Sequence, residues 1–204
     1  GVRIGVIGVM GQDAGTAIIP SNVRGIEIHD PIESIKPYVK LLRPQVDLIV
    51  VLTHQGKTAP MQTDDEARKD IQRGIAAEIN LANEVPGIDV IFSGHADSGT
   101  ESPFVHQPSG TLIMQTYGQG TRLGFLQLQL EHTTEGINIT SYEGRLLPVV
   151  SNDLAPHPIV ARKLEQFKAQ YPSNEDLFSL QLWHQFEQDN PDTFVRMYQF
   201  WVQK

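Results

Sequence analysis

Cysteine is absent from the sequence. That excludes disulfides, thiolate metal sites and a cysteine nucleophile, but it leaves the compartment open. Long hydrophobic runs are absent too. The most apolar stretch, Leu48 to Leu52, falls far short of the roughly 18 residues that a membrane span needs. Positive charge is scarce: 16 Lys and Arg stand against 24 acidic residues, a net charge of −8 with a pI of about 5.3. Such a chain has no electrostatic footprint for nucleic-acid backbones. It can still hold a phosphate ester if bound metal ions supply local positive charge. There are no internal repeats and no low-complexity tracts.

What is present describes an ordinary globular protein, 204 residues long with 40% hydrophobic and 20% charged residues, enough for one domain or one domain plus an appendage. The opening Val2-Arg3-Ile4-Gly5-Val6-Ile7-Gly8-Val9 starts at full strand strength, without a basic-then-apolar leader. A buried strand at the first residue points to a boundary cut by proteolysis or design, so a fragment is expected.

Residues 2–9 read as a buried strand and 11–22 as a Gly- and Pro-punctuated loop. Asp30-Pro31-Ile32-Glu33 announces a helix: Asp30 caps, Pro31 suits the first helical position, and Glu33 can answer back as in a capping box. Ile32, Ile35, Val39 and Leu42 keep one face apolar, Pro37 removes a backbone bond, and Pro44 ends the segment. Val46 to Thr53 reads as a strand buried on both faces. Residues 64–84 return to helical spacing through Ile71, Ile75, Ile79 and Ala82, and Pro86-Gly87 breaks the pattern. Ile88 to Ser93 is a third strand, giving β-α-β-α-β and a sheet covered by helices.

Beyond residue 110 the character changes. Thr111 to Tyr117, Gly124 to His132 and Ile137 to Leu147 read as strands without helices between them, expected to be antiparallel and hairpin-connected. Leu126, Leu128 and Leu130 alternate with Gln127, Gln129 and Glu131, the mark of a half-exposed strand. A helical region begins near Pro158 and runs to the end, interrupted at Pro172-Ser173-Asn174.

The chemistry collects where strands end. Thr53-His54-Gln55-Gly56 places His54 just past one strand, and Gly94-His95-Ala96-Asp97 does the same for the next. Loops at the carboxyl ends of adjacent parallel strands converge, and ligand sites of open α/β sheets lie there. Two imidazoles and a carboxylate in one crevice suit a divalent first-row metal. The alternative is a pair of hydrogen-bonded loop histidines with no metal.

These two motifs resemble the last two metal-binding motifs of the 5′-nucleotidase branch of the calcineurin-like metallophosphoesterases. Gly25-Ile26-Glu27 before Asp30-Pro31-Ile32-Glu33, then Val85-Pro86-Gly87-Ile88-Asp89-Val90-Ile91, Gln115-Thr116-Tyr117-Gly118, Leu123-Gly124 and Tyr142-Glu143-Gly144-Arg145-Leu146 follow in the family's order. The resemblance covers residues 1–165. It implies an α/β fold, the C-terminal half of a four-layer sandwich with mixed sheets and flanking helices, followed by a helical extension. The implied division is 1–150 for the half-domain and 151–204 for the extension. It also implies a parent that uses two divalent ions, zinc, manganese or similar, to hydrolyse phosphate monoesters, nucleotides among them. His54 and His95 would share one metal and Asp97 would ligate the other.

The sequence departs from the family in two ways. The upstream Asp-x-His, Gly-Asp and Gly-Asn-His motifs are absent, and with them the bridging aspartate and the histidine that stabilises the transition state. No catalytic residue is therefore assigned, and this chain alone is expected to be silent or nearly so. Asp97 stands where the family usually carries His or Gln, adding negative charge and favouring harder ions. A carboxylate there can also form an Asx turn with Gly99. A periplasmic or extracellular location is implied only by the resemblance.

Other features carry less. Gly8-Val9-Met10-Gly11 with Gly15 lacks dinucleotide-fingerprint spacing, and Ser98 lacks a nucleophile elbow. His29, His106, His132, His157 and His184 read as surface or hydrogen-bonded residues. Asn138-Ile139-Thr140 is a glycosylation sequon only in a eukaryotic secretory pathway. Trp183, Phe186, Phe194, Met197, Tyr198, Phe200 and Trp201 concentrate aromatics in the tail, which docks on the domain or forms a partner or homo-oligomer surface.

Two rivals remain. One is a non-catalytic binding or interaction module derived from this fold, using the aromatic tail. The other is an unrelated α/β domain binding a small molecule, in which His54 and His95 would point apart by more than about 8 Å, beyond the reach of one metal.

Overall fold

The computed structural model describes residues 1–56, 74–134, 136–150 and 154–170. The chain divides into two compact units, Gly1–Val150 and Ser151–Lys204.

The first unit is built on a five-stranded sheet in the order β1-β2-β3-β5-β4. Its strands are β1 (Ile4–Met10), β2 (Leu48–Gln55), β3 (Val90–His95), β4 (Phe104–Val105) and β5 (Leu112–Gln115). β1, β2, β3 and β5 run parallel, and β4 is antiparallel to β5. A separate antiparallel pair, β6 (Arg122–Thr133) and β7 (Gly136–Pro148), follows with a register shift at Gln129/Leu130. The half-exposed alternation expected for Leu126, Leu128 and Leu130 is present.

Two helices cover one face of the sheet. In α2 (Pro31–Leu42), the Asp30 side chain accepts from Glu33 N at 3.0 Å and Pro31 occupies the first turn. Glu33 does not complete the capping box in the expected way: its carboxylate pairs with Lys36 Nζ at 2.6 Å. α3 spans Ala76–Glu84. Ile35 and Val39 from α2, and Leu81 and Ala82 from α3, pack on Ile49, Val51, Ile91 and Ile113 from the sheet. Burying each large aliphatic side chain contributes about 1.5–3 kcal/mol. At the foot of the sheet Arg43 Nη1 donates to Asp89 Oδ2 at 2.7 Å, and Asp89 Oδ2 also accepts from Ile49 N. Arg43 Nη2 donates to Asp47 O at 2.7 Å, so one guanidinium ties α2 to the entries of β2 and β3.

The opposite face is covered unevenly. Leu112 and Met114 on β5 are buried, and the β6–β7 pair closes over this end, where Gly144 abuts Pro103 and the Met114 sulfur. Moving across the sheet, Leu52 on β2 is 46% exposed, and Ile4 and Val6 on β1 are 55% and 58% exposed. Among the described residues β2 is thus covered along its length on the helix side but only at its start, around Leu48, on the other, not on both faces throughout as its continuous apolar run implies.

Three further expectations change. Residues 11–22 contain a short helix, α1 (Gln12–Thr16), and a 3₁₀ turn at Pro20–Val23. Asp13 Oδ2 accepts from Gly56 N at 2.7 Å and anchors α1 beside the end of β2. β5 is not a hairpin partner of β6; it extends the parallel sheet beside β3. The short strand β4, with only two residues, lacks any periodicity that could announce it. Of the helix expected at 64–84, the part before residue 74 lies outside the described residues.

In the second unit, α4 spans Pro158–Gln170. Ile159, Val160 and Leu164 are exposed, and Lys168 pairs with Glu165 at 3.0 Å. The aromatic tail from Trp183 to Trp201 lies outside the described residues.

Candidate metal centre

His54 and His95 come together. Their ring centroids are 4.8 Å apart, with the planes tilted by 56°. This is well inside the 8 Å separation that an unrelated domain with incidental histidines would show. Simple strand pairing does not give this arrangement, because the residue in register with His54 is Gly94, and Gln55 is opposite His95. Alternation would put the two imidazoles on opposite faces of the sheet. The backbone at His95 takes a left-handed φ of 84°, which ends the pleat and returns the ring to the His54 side. Such a conformation costs a non-glycine residue on the order of 1–3 kcal/mol and clusters at functional sites. Asp97, two residues on, is left-handed as well, with φ 54°.

Glycines make the approach possible. A Cβ on Gly94 would stand 3.3 Å from His54 Nδ1. A side chain on Gly118, itself left-handed at φ 78°, would collide with the Asp97 carboxylate. Asp97 thus rests against Gly118.

The donor set fits half of a metal site. Two imidazoles bound to one ion at about 2.0–2.1 Å, near tetrahedral angles, carry their centroids roughly 5 Å apart. His54 is exposed and His95 partly so, which leaves nitrogens available to an ion. Among the described residues no group of three or more His, Asp or Glu side chains converges. Asp97 is near in sequence but does not complete a three-ligand cluster.

Beneath the rings lies a polar layer that sequence reasoning missed. Glu78 on α3 is fully buried. Its Oε1 accepts from Ser93 Oγ at 2.7 Å and from Thr53 Oγ1 at 3.3 Å. Burial pushes its carboxyl above the usual range, and the hydrogen bonds from Ser93, Gln55 and Thr53 oppose that rise only in part. The signal was an acidic residue on the apolar stripe of a helix, between Ile75 and Ala82.

His106 is buried and structural. Its Nδ1 is 2.7 Å from Ser109 Oγ and its Nε2 2.9 Å from Asn83 Oδ1, locking the β4–β5 turn onto α3.

No family model matches the chain. Among curated proteins it is 28% identical over 139 residues to the endonuclease YhcR of Bacillus subtilis, covering 67% of this chain and 10% of that protein. It is 26% identical over 170 residues to the 5′-nucleotidase of Vibrio cholerae, covering 73% and 28%. The trifunctional nucleotide phosphoesterase YfkN of Bacillus subtilis is 23% identical over 171 residues, covering 82% and 10%. The chain therefore spans between 10% and 28% of the length of these relatives. Among solved structures, the sulfate thiohydrolase SoxB of Thermus thermophilus aligns over 82% of this chain and 27% of its own, with a TM-score of 0.63 and 22% identity. The calcineurin-like phosphoesterase YfkN from Bacillus subtilis aligns over 83% and 52%, with a TM-score of 0.58 and 20% identity. These two structures bear on the fold alone. In sequence the chain is similar to a 5′-nucleotidase and a nucleotide phosphoesterase, and its fold is that of the calcineurin-like phosphoesterase structures it aligns with.

Proposed function

We propose that this chain is the C-terminal half of the catalytic domain of a metal-dependent phosphoesterase acting on phosphate monoesters, nucleotides in particular. The observation that carries the proposal is the His54–His95 ring pair at the carboxyl edge of a parallel sheet. In an intact parent His54 and His95 would hold one divalent ion and Asp97 would contribute to a second, and such ions would supply an activated water and neutralise charge on the phosphoryl group. His54 and His95 position the first ion, and the Gly94 turn keeps the space beside His54 open.

Among the described residues two ligands converge. Structural zinc sites use four and catalytic sites three protein ligands, so weak single-ion binding and negligible turnover are expected. The exposed apolar face around Ile4, Val6 and Leu52 supports the fragment reading: His54 lies at the upper end of that same face, so whatever covers it also borders the site. A periplasmic or extracellular location rests on family resemblance. No helix among the described residues is long and apolar enough to cross a membrane.

The test is phosphate release from a nucleoside monophosphate by the complete parent protein, with manganese or zinc added after chelation. Loss of activity on chelation, and in His54→Ala and His95→Ala, is the expected result. Full activity in either variant would overturn the proposal.

A further inference from the structure

We propose that Glu78 is a positioning residue for the His54–His95 pair, its buried carboxyl tying Thr53, just before His54, to Ser93, two residues before His95. The placement of the rings rests on geometry alone. Its consequence for metal binding rests on the proposed function above.

Glu78 sits behind the sheet, on the helix-covered face, and reaches residues next to each ring. Thr53, which bonds its Oε1, immediately precedes His54. Ser93, which donates to Oε1, lies two residues before His95. One carboxyl therefore fixes the end of β2 against the end of β3 at the level where the rings meet.

The layer continues past the strained turn. Gln115 Nε2 donates to Ser93 Oγ at 3.2 Å, and Gln115 Oε1 accepts from Ser98 N at 3.0 Å. Ser93 and Ser98 bracket the segment holding the two left-handed residues, His95 and Asp97. A backbone in a sparsely populated conformation persists only where its surroundings over-determine it. Here the Glu78–Ser93–Gln115–Ser98 chain spans the segment from one end to the other.

The cost of the arrangement argues against simple packing. Among the described residues no Lys or Arg is a hydrogen-bond partner of Glu78, and its Oε2 has no hydrogen-bond partner. A buried polar atom left unsatisfied is destabilising, and a leucine would fill the volume without it. What leucine cannot supply is an acceptor shared by β2 and β3.

The experiment uses this chain with isotopically labelled histidine. The readouts are the nuclear Overhauser contact between the His54 and His95 rings, cobalt(II) affinity by visible absorption, and a thermal melt. Glu78→Leu and Ser93→Ala should weaken the inter-ring contact. Glu78→Gln, whose amide oxygen can still accept from Ser93, should retain most of it. Where cobalt binds, the first two variants should lose about tenfold in affinity, as when a group orienting a ligand is removed. A wild-type inter-ring contact in folded Ser93→Ala and Glu78→Leu would overturn the proposal. If Glu78→Leu fails to fold, Ser93→Ala decides, since it removes a single hydroxyl, and with it the bonds to Glu78 and from Gln115, at little change in volume. Loss of the ring contact in a chain whose wild type binds no cobalt would uphold positioning while counting against the metal reading.

Discussion

His54 and His95 face each other at 4.8 Å although they are not strand partners; the register pairs His54 with Gly94. The pairing of the rings is thus a property of the strained end of β3, and the glycine opposite His54 is part of it. Gly94→Ala should press a methyl group against His54 Nδ1, 3.3 Å from the ring nitrogen. We expect a stability cost of about 1 kcal/mol from overpacking and a clear fall in cobalt(II) affinity. Titration of the variant alongside a urea melt separates the two effects, and unchanged affinity would show that the ring has room to move.

Gly118→Ala should act on Asp97. The substitution adds a Cβ at φ 78° and drives it into the Asp97 carboxylate. A destabilisation of roughly 1–3 kcal/mol is expected from the backbone conformation. Because His54 and His95 do not contact Gly118, their ring contact should survive. Loss of that contact would mean that the two loops move as one.

The pH dependence of stability carries the signature of Glu78. Its folded-state pKa is raised by burial, so the folded chain holds the proton more tightly than the unfolded one. The associated stability is fully present below the ordinary carboxyl range and declines as pH rises from that range to the raised folded value. Glu78→Gln, which cannot ionise, should flatten this part of the profile. Urea midpoints across the acid-to-neutral range provide the check; an unchanged slope would place the titration elsewhere.

Arg43→Ala should destabilise the fold without touching the site. The guanidinium is bonded to Asp89, Gly87, Val46 and Asp47. Its loss strands partly buried acceptors at the foot of the sheet, at a cost of about 1–3 kcal/mol. Cobalt(II) affinity at the opposite end should be unchanged in the folded variant.

The exposed face gives a paired prediction. In this chain Val6→Lys should change stability by no more than about 0.5 kcal/mol, as at other exposed positions. In the complete parent protein the same change should cost about 2 kcal/mol or more if that face is covered, since it buries a charge in place of an aliphatic group. Equal small effects in both would remove the support that this face lends to the fragment reading.

Much of the fold was legible because local signals coincided. Asp30-Pro31 fixed the start of α2, and Pro86-Gly87 marked the break before β3. That His54 and His95 stand at the same edge of the sheet was legible from two strands ending in histidine; that their rings meet was not, because it depends on the left-handed backbone at His95. What was not legible depended on partners far away in sequence. β5 reads like a hairpin strand because its four buried residues carry no mark of parallel or antiparallel pairing. Asp13 makes a helical turn in an apparent loop by bonding Gly56, and no local pattern encodes that contact. The role of Glu78 depends on Thr53 and Ser93, strand residues that the helical spacing of its own segment does not point to.

Among the described residues β1 is an outer strand, with a partner on one side only. Its Ile4 and Val6 add exposed apolar side chains to an open row of backbone donors and acceptors. That combination is a template for strand addition, and natural sheets blunt it with charge, proline or cover. In concentrated solution the isolated chain will therefore be limited by self-association through β1, and its oligomers will report on an unshielded edge rather than on a biological assembly.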